Sequence, residues 1–213
     1  MKIKKAILSL FTFLPLIVNL IALFFLPAQI PAHYGPDLKI DRYGSKYEIL
    51  ILPVIILVMG LIFLITSKFS SSNPNNRIAL NIGIAMVLLF NALDYFLLYI
   101  QANRISDISA FGFNRFLLLI FGVFFIFVGN LMPMTRKNSF IGLRTKWSMK
   151  NDHVWKKCQL FGGISMIIAG IAAFILAFVY PNLFVFVGML ILTGVIDTVY
   201  SYIAAKNDTH EPD

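Results

Sequence analysis

Six uninterrupted apolar runs, at 6–26, 49–66, 78–101, 114–132, 160–180 and 182–204, divide this chain. Each lies near the roughly 20 residues that a helix needs to cross a hydrocarbon core of about 30 Å at about 1.5 Å per residue. None shows the alternation of apolar and polar positions that a transmembrane barrel strand requires, and in hydrocarbon only helices and closed barrels satisfy every backbone polar group. The pattern predicts an all-α fold, a polytopic membrane bundle of about six helices. Two long connections, 27–48 and 133–159, each open on a proline. The cluster Ser70 to Asn76 reads as a turn-rich connector, and Tyr180-Pro181-Asn182 turns the last two spans into a tight hairpin.

Composition strengthens this reading: 59% of the 213 residues are hydrophobic and 13% are charged, with mean hydropathy +0.82. A soluble core cannot bury that much apolar surface. The net charge of +8 does not point to nucleic acid, because the 18 Lys and Arg residues lie in the short gaps between apolar runs. Thirteen of the 18 fall in the N-terminal tail, the second connection, the 133–159 loop and the C-terminal tail. The Lys/Arg bias of short loops then places both termini and the 133–159 loop in the cytoplasm and the 27–48 loop outside. The start, Lys2-Ile3-Lys4-Lys5 before an apolar run, imitates a signal peptide, but the run to Leu26 is long and lacks an A-x-A-like site. An uncleaved first span is expected. The single cysteine, Cys158, excludes an intramolecular disulfide.

The chain reads as two halves of three spans, 1–101 and 102–213. Asp94 is followed by Tyr99-Ile100 and Asp197 by Tyr202-Ile203 at the same offsets, a pattern compatible with a 3+3 inverted repeat. Asp94 and Asp197 are the acids deep within the spans, and a charged carboxylate there costs about 2.5–3.5 kcal/mol on insertion scales. Expected partners are Asn91, Thr193, Thr198 and Tyr200, with two readings: a proton or cation relay, or a hydrogen-bonded pair that fixes packing. Ser165, Ala169, Ala173 and Ala177 form a small-residue stripe along which another backbone can approach closely.

Function is expected on the two long loops. The first carries His33, Tyr34, Asp41, Arg42 and Tyr43; His33 with Asp37, Asp41 and Glu48 can be read as metal ligands, although the spacing fits no familiar site. The second carries Asn138, Gly142, Arg144, Thr145, Trp147, Asp152 and Trp155. Asn151 or Asp152 can cap a short helix with Val154, Trp155, Cys158 and Phe161 on one face, lying in the headgroup region. Trp147 and Trp155 then read either as interfacial anchors or as recognition groups. Signatures of hydrolases, zincins, P-loops and dinucleotide folds are missing, so neither catalysis nor a cofactor is expected.

Two segments resemble the SdpI family of bacterial membrane proteins, named for immunity against the sporulation-delaying-protein toxin. Pro27-x-x-Ile30-Pro31-x-His33-x-Gly35 through Asp41-Arg42-Tyr43-Gly44-Ser45-Lys46 is similar to the family's N-terminal domain of unknown function. Asn138-x-x-Ile141-Gly142-Leu143-Arg144-Thr145-x-Trp147 with Asp152-x-x-Trp155 is similar to its C-terminal signature. Lys146 stands where the pattern has proline, and Cys158-Gln159 where it has a Thr-His-like pair. The resemblance implies a cytoplasmic-membrane protein that protects its producer against a secreted toxic peptide and captures a small soluble repressor at the inner face. Proton- or ion-coupled transport through Asp94 and Asp197, and a scaffold without ligand, are the competing expectations.

Overall fold

The computed structural model describes residues 2–69, 75–109, 112–139 and 141–209; most of the expected 70–76 connector lies outside them. Six helices cross it: α1 (Lys2–Ala22), α2 (Ile51–Phe69), α3 (Asn75–Ala102), α4 (Phe113–Leu131), α5 (Asp152–Val179) and α6 (Leu183–Lys206). All six are long and apolar enough to span a membrane. They run alternately up and down, so the α1–α2, α3–α4 and α5–α6 connections share one end of the bundle. Both ends of the described chain lie at the other.

The expected loop 27–48 is not irregular. It folds as an antiparallel hairpin, β1 (Gln29–Tyr34) with β2 (Ile40–Ser45), in which Gln29 pairs with Ser45 and Ile30 with Gly44. A further backbone bridge ties the hairpin to the α3–α4 connection: Ile40 N–H donates to Ser106 O, and Ile108 N–H to Leu38 O. The β-branched and aromatic residues of these segments suit a pleated ribbon with one covered face, and Ile30 is fully buried beneath it.

Helix bounds move where side chains outside the apolar run are recruited. α1 starts at Lys2 and ends at Ala22, four residues before the end of its apolar run, because Leu23 to Leu26 form a turn that delivers the chain to Pro27. The Lys46 ammonium donates to Leu23 O (2.8 Å), satisfying one of the carbonyls that a helix end leaves open. α5 extends back to Asp152, so the short headgroup helix expected there is instead the first two turns of the span itself. Twenty-eight residues make about 42 Å, longer than the hydrocarbon core, so those turns stand beyond it, with Val154, Trp155, Cys158 and Gln159 buried against protein and Asp152, His153, Lys156 and Lys157 exposed.

Leu8, Ile56, Leu80 and Val87 form the core among α1, α2 and α3; Leu118, Ala173, Ala177 and Phe186 form that among α4, α5 and α6. α4 and α5 meet in direct backbone contact. A β-carbon on Gly129 would stand 2.6 Å from the Gly163 carbonyl oxygen, and one on Gly170 would stand 2.7 Å from that of Gly122. One layer further along, the Arg115 Nε–H donates to Ala177 O (2.9 Å). On both helices the contact residues recur every seven positions, so the pair is an antiparallel seam in heptad register. The stripe read from the sequence is displaced accordingly. Ala169, Ala173 and Ala177 are buried, but backbone-to-backbone contact falls to Gly163 and Gly170, and Ser165 turns towards α6.

Alanine at Gly129 or Gly170 drives a methyl group into a facing carbonyl and is expected to cost about 1–3 kcal/mol of stability in detergent. Alanine at Gly188 or Gly194, where nothing lies within 4 Å, is expected to be neutral or slightly stabilising. Thermal unfolding followed by circular dichroism measures the difference.

Candidate functional site

The hairpin motif is an interlocking set of contacts. Arg42 presents its guanidinium edge-on to Glu48 at the foot of α2, with Nη1 and Nη2 donating to the two carboxylate oxygens at 3.2 and 2.8 Å. The same carboxylate accepts from Ser45 N–H (3.1 Å), and the Ser45 hydroxyl accepts from Tyr47 N–H, completing a capping box. A β-carbon at Gly44 would overlap Glu48. Arg42-Tyr43-Gly44-Ser45-Lys46 is therefore the fastening between β2 and the second span. His33 Nδ1 meets Asp41 Oδ1 across the ribbon at 2.7 Å, both side chains being largely exposed. With Glu48 held by Arg42 and Asp37 accepting from Lys39 N–H, these four side chains are not gathered around one point, and among the described residues no cluster of three metal-ligating side chains forms. Tyr34 donates to Ile105 O (3.1 Å), and burial pushes its hydroxyl up to about 12, which keeps it a donor. Tyr43 is 59% exposed and, with Phe24 and Phe25, gives this end an aromatic rim.

At the opposite end the connection between α4 and α5 has little regular secondary structure, and amide side chains complete its backbone hydrogen bonding. Asn75, on α3, donates to Arg136 O (3.0 Å) and accepts from Arg136 N–H (2.9 Å). Asn138 accepts from Ile141 N–H and donates to Ile141 O, closing a turn. Gln159, fully buried on α5, accepts from Leu143 N–H (2.9 Å) and donates to Leu143 O (3.0 Å). Each amide pairs with the N–H and C=O of one residue, as a residue on a neighbouring strand would.

Gly142 makes the third clasp possible. Its φ is +107°, a conformation L side chains rarely adopt, and a β-carbon would collide with the Gln159 amide. Beyond it Thr145 and Ser148 bond reciprocally, and the Thr145 hydroxyl meets that of Ser201 on α6 at 2.8 Å. Trp147 stands edge-on to Tyr202 with ring centroids 5.4 Å apart, under the Lys146 ammonium. Trp155 departs from the anchoring reading: it is 1% exposed, and its indole N–H donates to Thr135 O (2.9 Å). A buried indole needs such an acceptor. Asn151, not Asp152, caps α5, accepting from Val154 N–H, while Asp152 sits exposed in the first turn. Arg144 projects into solvent without a polar partner among the described residues.

Sequence reading missed the residues that hold the loop from outside it: Asn75, Gln159, Ser201 and Asp208. The Asp208 carboxylate, buried after α6, accepts from Asn151 (2.7 Å) and meets His153 (2.6 Å), while Lys150 donates to Ala205 O and Asp208 O. A buried-amide signal exists for Gln159, an uncharged polar residue inside an apolar helix face. Asp208 carries none, being one polar residue in a polar tail.

The intramembrane acids have partners other than those expected. Asp94 accepts from Asn19 on α1 (2.7 Å), and Asn91 donates instead to Phe11 O and Val87 O. Asp197 accepts from Ser165 on α5 (3.0 Å), while Thr193 and Thr198 bond back to their own helix. Short polar side chains in hydrocarbon reach the carbonyl four residues back before they reach across a bundle. No hydrogen bond connects the two carboxylates among the described residues, and their partners lie on non-equivalent helices of the two halves.

Both motif segments lie within stretches that match family models. Residues 134–201 match the SdpI/YfhL protein family, and residues 10–57 match a domain of unknown function, DUF1648. Immunity protein SdpI of Bacillus subtilis (strain 168) is 27% identical over 208 residues, covering 93% of this chain and 95% of the relative. No solved structure matches. The resemblance to the SdpI family read from the two loop motifs is thereby borne out.

Gly142→Ala combines strain with a collision and is expected to destabilise the loop by about 1–3 kcal/mol. Gln159→Leu leaves the Leu143 N–H without its acceptor, while the Leu143 carbonyl keeps the Ser148 hydroxyl (2.8 Å), at a similar cost of about 1–3 kcal/mol. Hydrogen exchange should show residues 141–149 opening in both variants while α1 to α3 keep their protection.

Proposed function

We propose that this chain, which carries the SdpI/YfhL signature together with DUF1648, is a bacterial cytoplasmic-membrane immunity protein that protects against a secreted toxic peptide. The observation that carries the proposal is likeness to an immunity protein along nearly the whole chain, spanning both distinctive segments. In this reading the bundle end bearing the hairpin faces outward and meets the peptide, and both termini with the 133–159 loop face the cytoplasm. The Lys/Arg distribution supports that orientation. The half 1–101 presents the hairpin, and the half 102–213 presents the inner loop.

The inner loop is the platform for a small soluble repressor, and the reading gives Arg144 and Trp147 the contact role. A surface group whose planar fork of donors has no partner among the described residues is suited to a partner's carboxylates. Asn138, Gly142, Thr145 and Trp155 then act by shaping the loop, and Asp152 lines its edge. On the outer side, Tyr43 and the His33–Asp41 pair are the exposed members of the hairpin set, while Arg42 and Tyr34 hold it in place. The transport alternative rests on Asp94 and Asp197, whose separate bonds to Asn19 and Ser165 favour helix packing.

Expression in a bacterium sensitive to the sporulation-delaying-protein toxin is expected to raise survival, and Asp94→Asn and Asp197→Asn are expected to keep that protection. Arg144→Lys should retain protection against the toxin and lose recruitment of a repressor to the membrane, with normal protein amount. Loss of protection in both Asn variants at normal amount would instead favour proton-coupled transport. Reporters fused near Lys39 and after Lys206 should signal the exterior and the cytoplasm respectively, and a cytoplasmic Lys39 would overturn the orientation.

A further inference from the structure

At the hairpin end of the bundle a cleft of about 670 Å³ opens where the three connections of that end converge. Leu38 comes from the hairpin turn, Ser109 from the α3–α4 connection and Pro181 from the α5–α6 turn; Phe96, Asn114 and Arg115 come from α3 and α4. Its apolar wall is built on Phe96, stacked on Phe116 with centroids 4.3 Å apart. Its polar wall is donor-rich. Arg115 spends its Nε–H on Ala177 O, which orients the guanidinium, and the terminal nitrogens find no partner among the described residues. Ser109 is turned to Asp107, and among the described residues Asn114 and the terminal nitrogens of Arg115 are the polar groups of the cleft left to address a ligand.

We propose that this cleft is the ligand site of the protein, and that it takes an apolar peptide segment carrying an anionic group, the anion on Arg115 and the apolar side chains against Phe96, Phe116 and Leu119. The proposal rests on the immunity reading and names its binding site. The volume falls within the range of small-ligand pockets and holds a few residues, not a folded toxin. An oriented guanidinium at the edge of an apolar wall is worth most to an anion that brings its own apolar surface, because both are then desolvated together. The position has a mechanical consequence. The cleft meets the α4–α5 seam at its Arg115/Ala177 layer, and the far end of the same two helices carries the 133–151 loop. A ligand there touches both three-helix groups at once and bears on the helix pair that supports the inner loop.

The test uses the full chain in nanodiscs, with synthetic sporulation-delaying-protein toxin bearing a fluorophore as the probe. Binding is measured in phosphatidylcholine alone and with added phosphatidylglycerol, and protection is scored in parallel in cells. Wild type is expected to bind in phosphatidylcholine. Arg115→Gln and Leu119→Trp, the second filling the cleft, should each weaken binding about tenfold or more, with Arg115→Lys in between and helicity unchanged. If Arg115→Gln does not fold, Leu119→Trp and Arg115→Lys decide. Equal binding by wild type and the folded variants overturns the cleft as the site and leaves the immunity reading standing. Neither binding nor protection by wild type overturns both. Phosphatidylglycerol that displaces the toxin from wild type, with Arg115→Gln binding the toxin as well as wild type does, identifies a lipid site and overturns the proposal.

Discussion

The backbone contact between α4 and α5 sets the terms for the rest of the molecule. Hydrocarbon offers no hydrophobic drive for one apolar helix to leave lipid for another, so association relies on dispersion at short range and on the few polar bonds available. Gly122, Gly129, Gly163 and Gly170 place no β-carbon at these contacts and let the two helices meet at the carbonyls. The seven-residue spacing keeps them in register from the Arg115–Ala177 bond at one end to the Gly129–Gly163 layer at the other. α6 then bonds α5 through Asp197 and packs on α4 and α5 through Phe186, and leaves most of its surface to lipid.

Where that helix pair leaves the membrane, a second constraint governs: backbone groups away from water need partners, and the 133–151 segment has no ladder to provide them. Asn75, Asn138 and Gln159 each supply both an acceptor and a donor to the N–H and C=O of one residue. Three helices contribute to the loop through Asn75 on α3, Gln159 on α5 and Ser201 on α6. A shift between those helices therefore reaches the loop through hydrogen bonds, and no hinge is needed. The same economy appears in the hairpin, where one carboxylate, Glu48, accepts from Arg42 and from the Ser45 backbone.

Much of the candidate site was legible as positions and little of it as roles. Gly142 and Arg144 stood out by residue type, and the structure separates them into a backbone device and an exposed donor fork. Trp155 read as an interfacial ring because tryptophan favours that layer, but the extra length of α5 carries it into a protein-lined pocket against Thr135. Arg42 read as a ligand-binding group on a loop, and its bidentate bond to Glu48, six residues on, makes it a fastener. Asp94 drew attention as a lone carboxylate, but Asn19, which accounts for it, lies 75 residues earlier on another helix.

By itself the sequence determined the solvent, the number of spans, the two segments where polar chemistry collects and the family they resemble. Those properties are local: hydropathy over about 20 residues, turn formers between runs, and motifs within one stretch of chain. The tertiary structure decided which small residues make the α4–α5 seam, which amide meets which backbone, and that Arg115 and Arg144 keep donors without partners among the described residues. Several Ala, Ser and Gly faces on α5 were equally suited to close approach, and only the glycines opposite Gly122 and Gly129 are in register with a facing backbone. A hydrogen bond between Gln159 and Leu143, or between Asn19 and Asp94, depends on where two distant helices are brought together, and no local pattern encodes that distance.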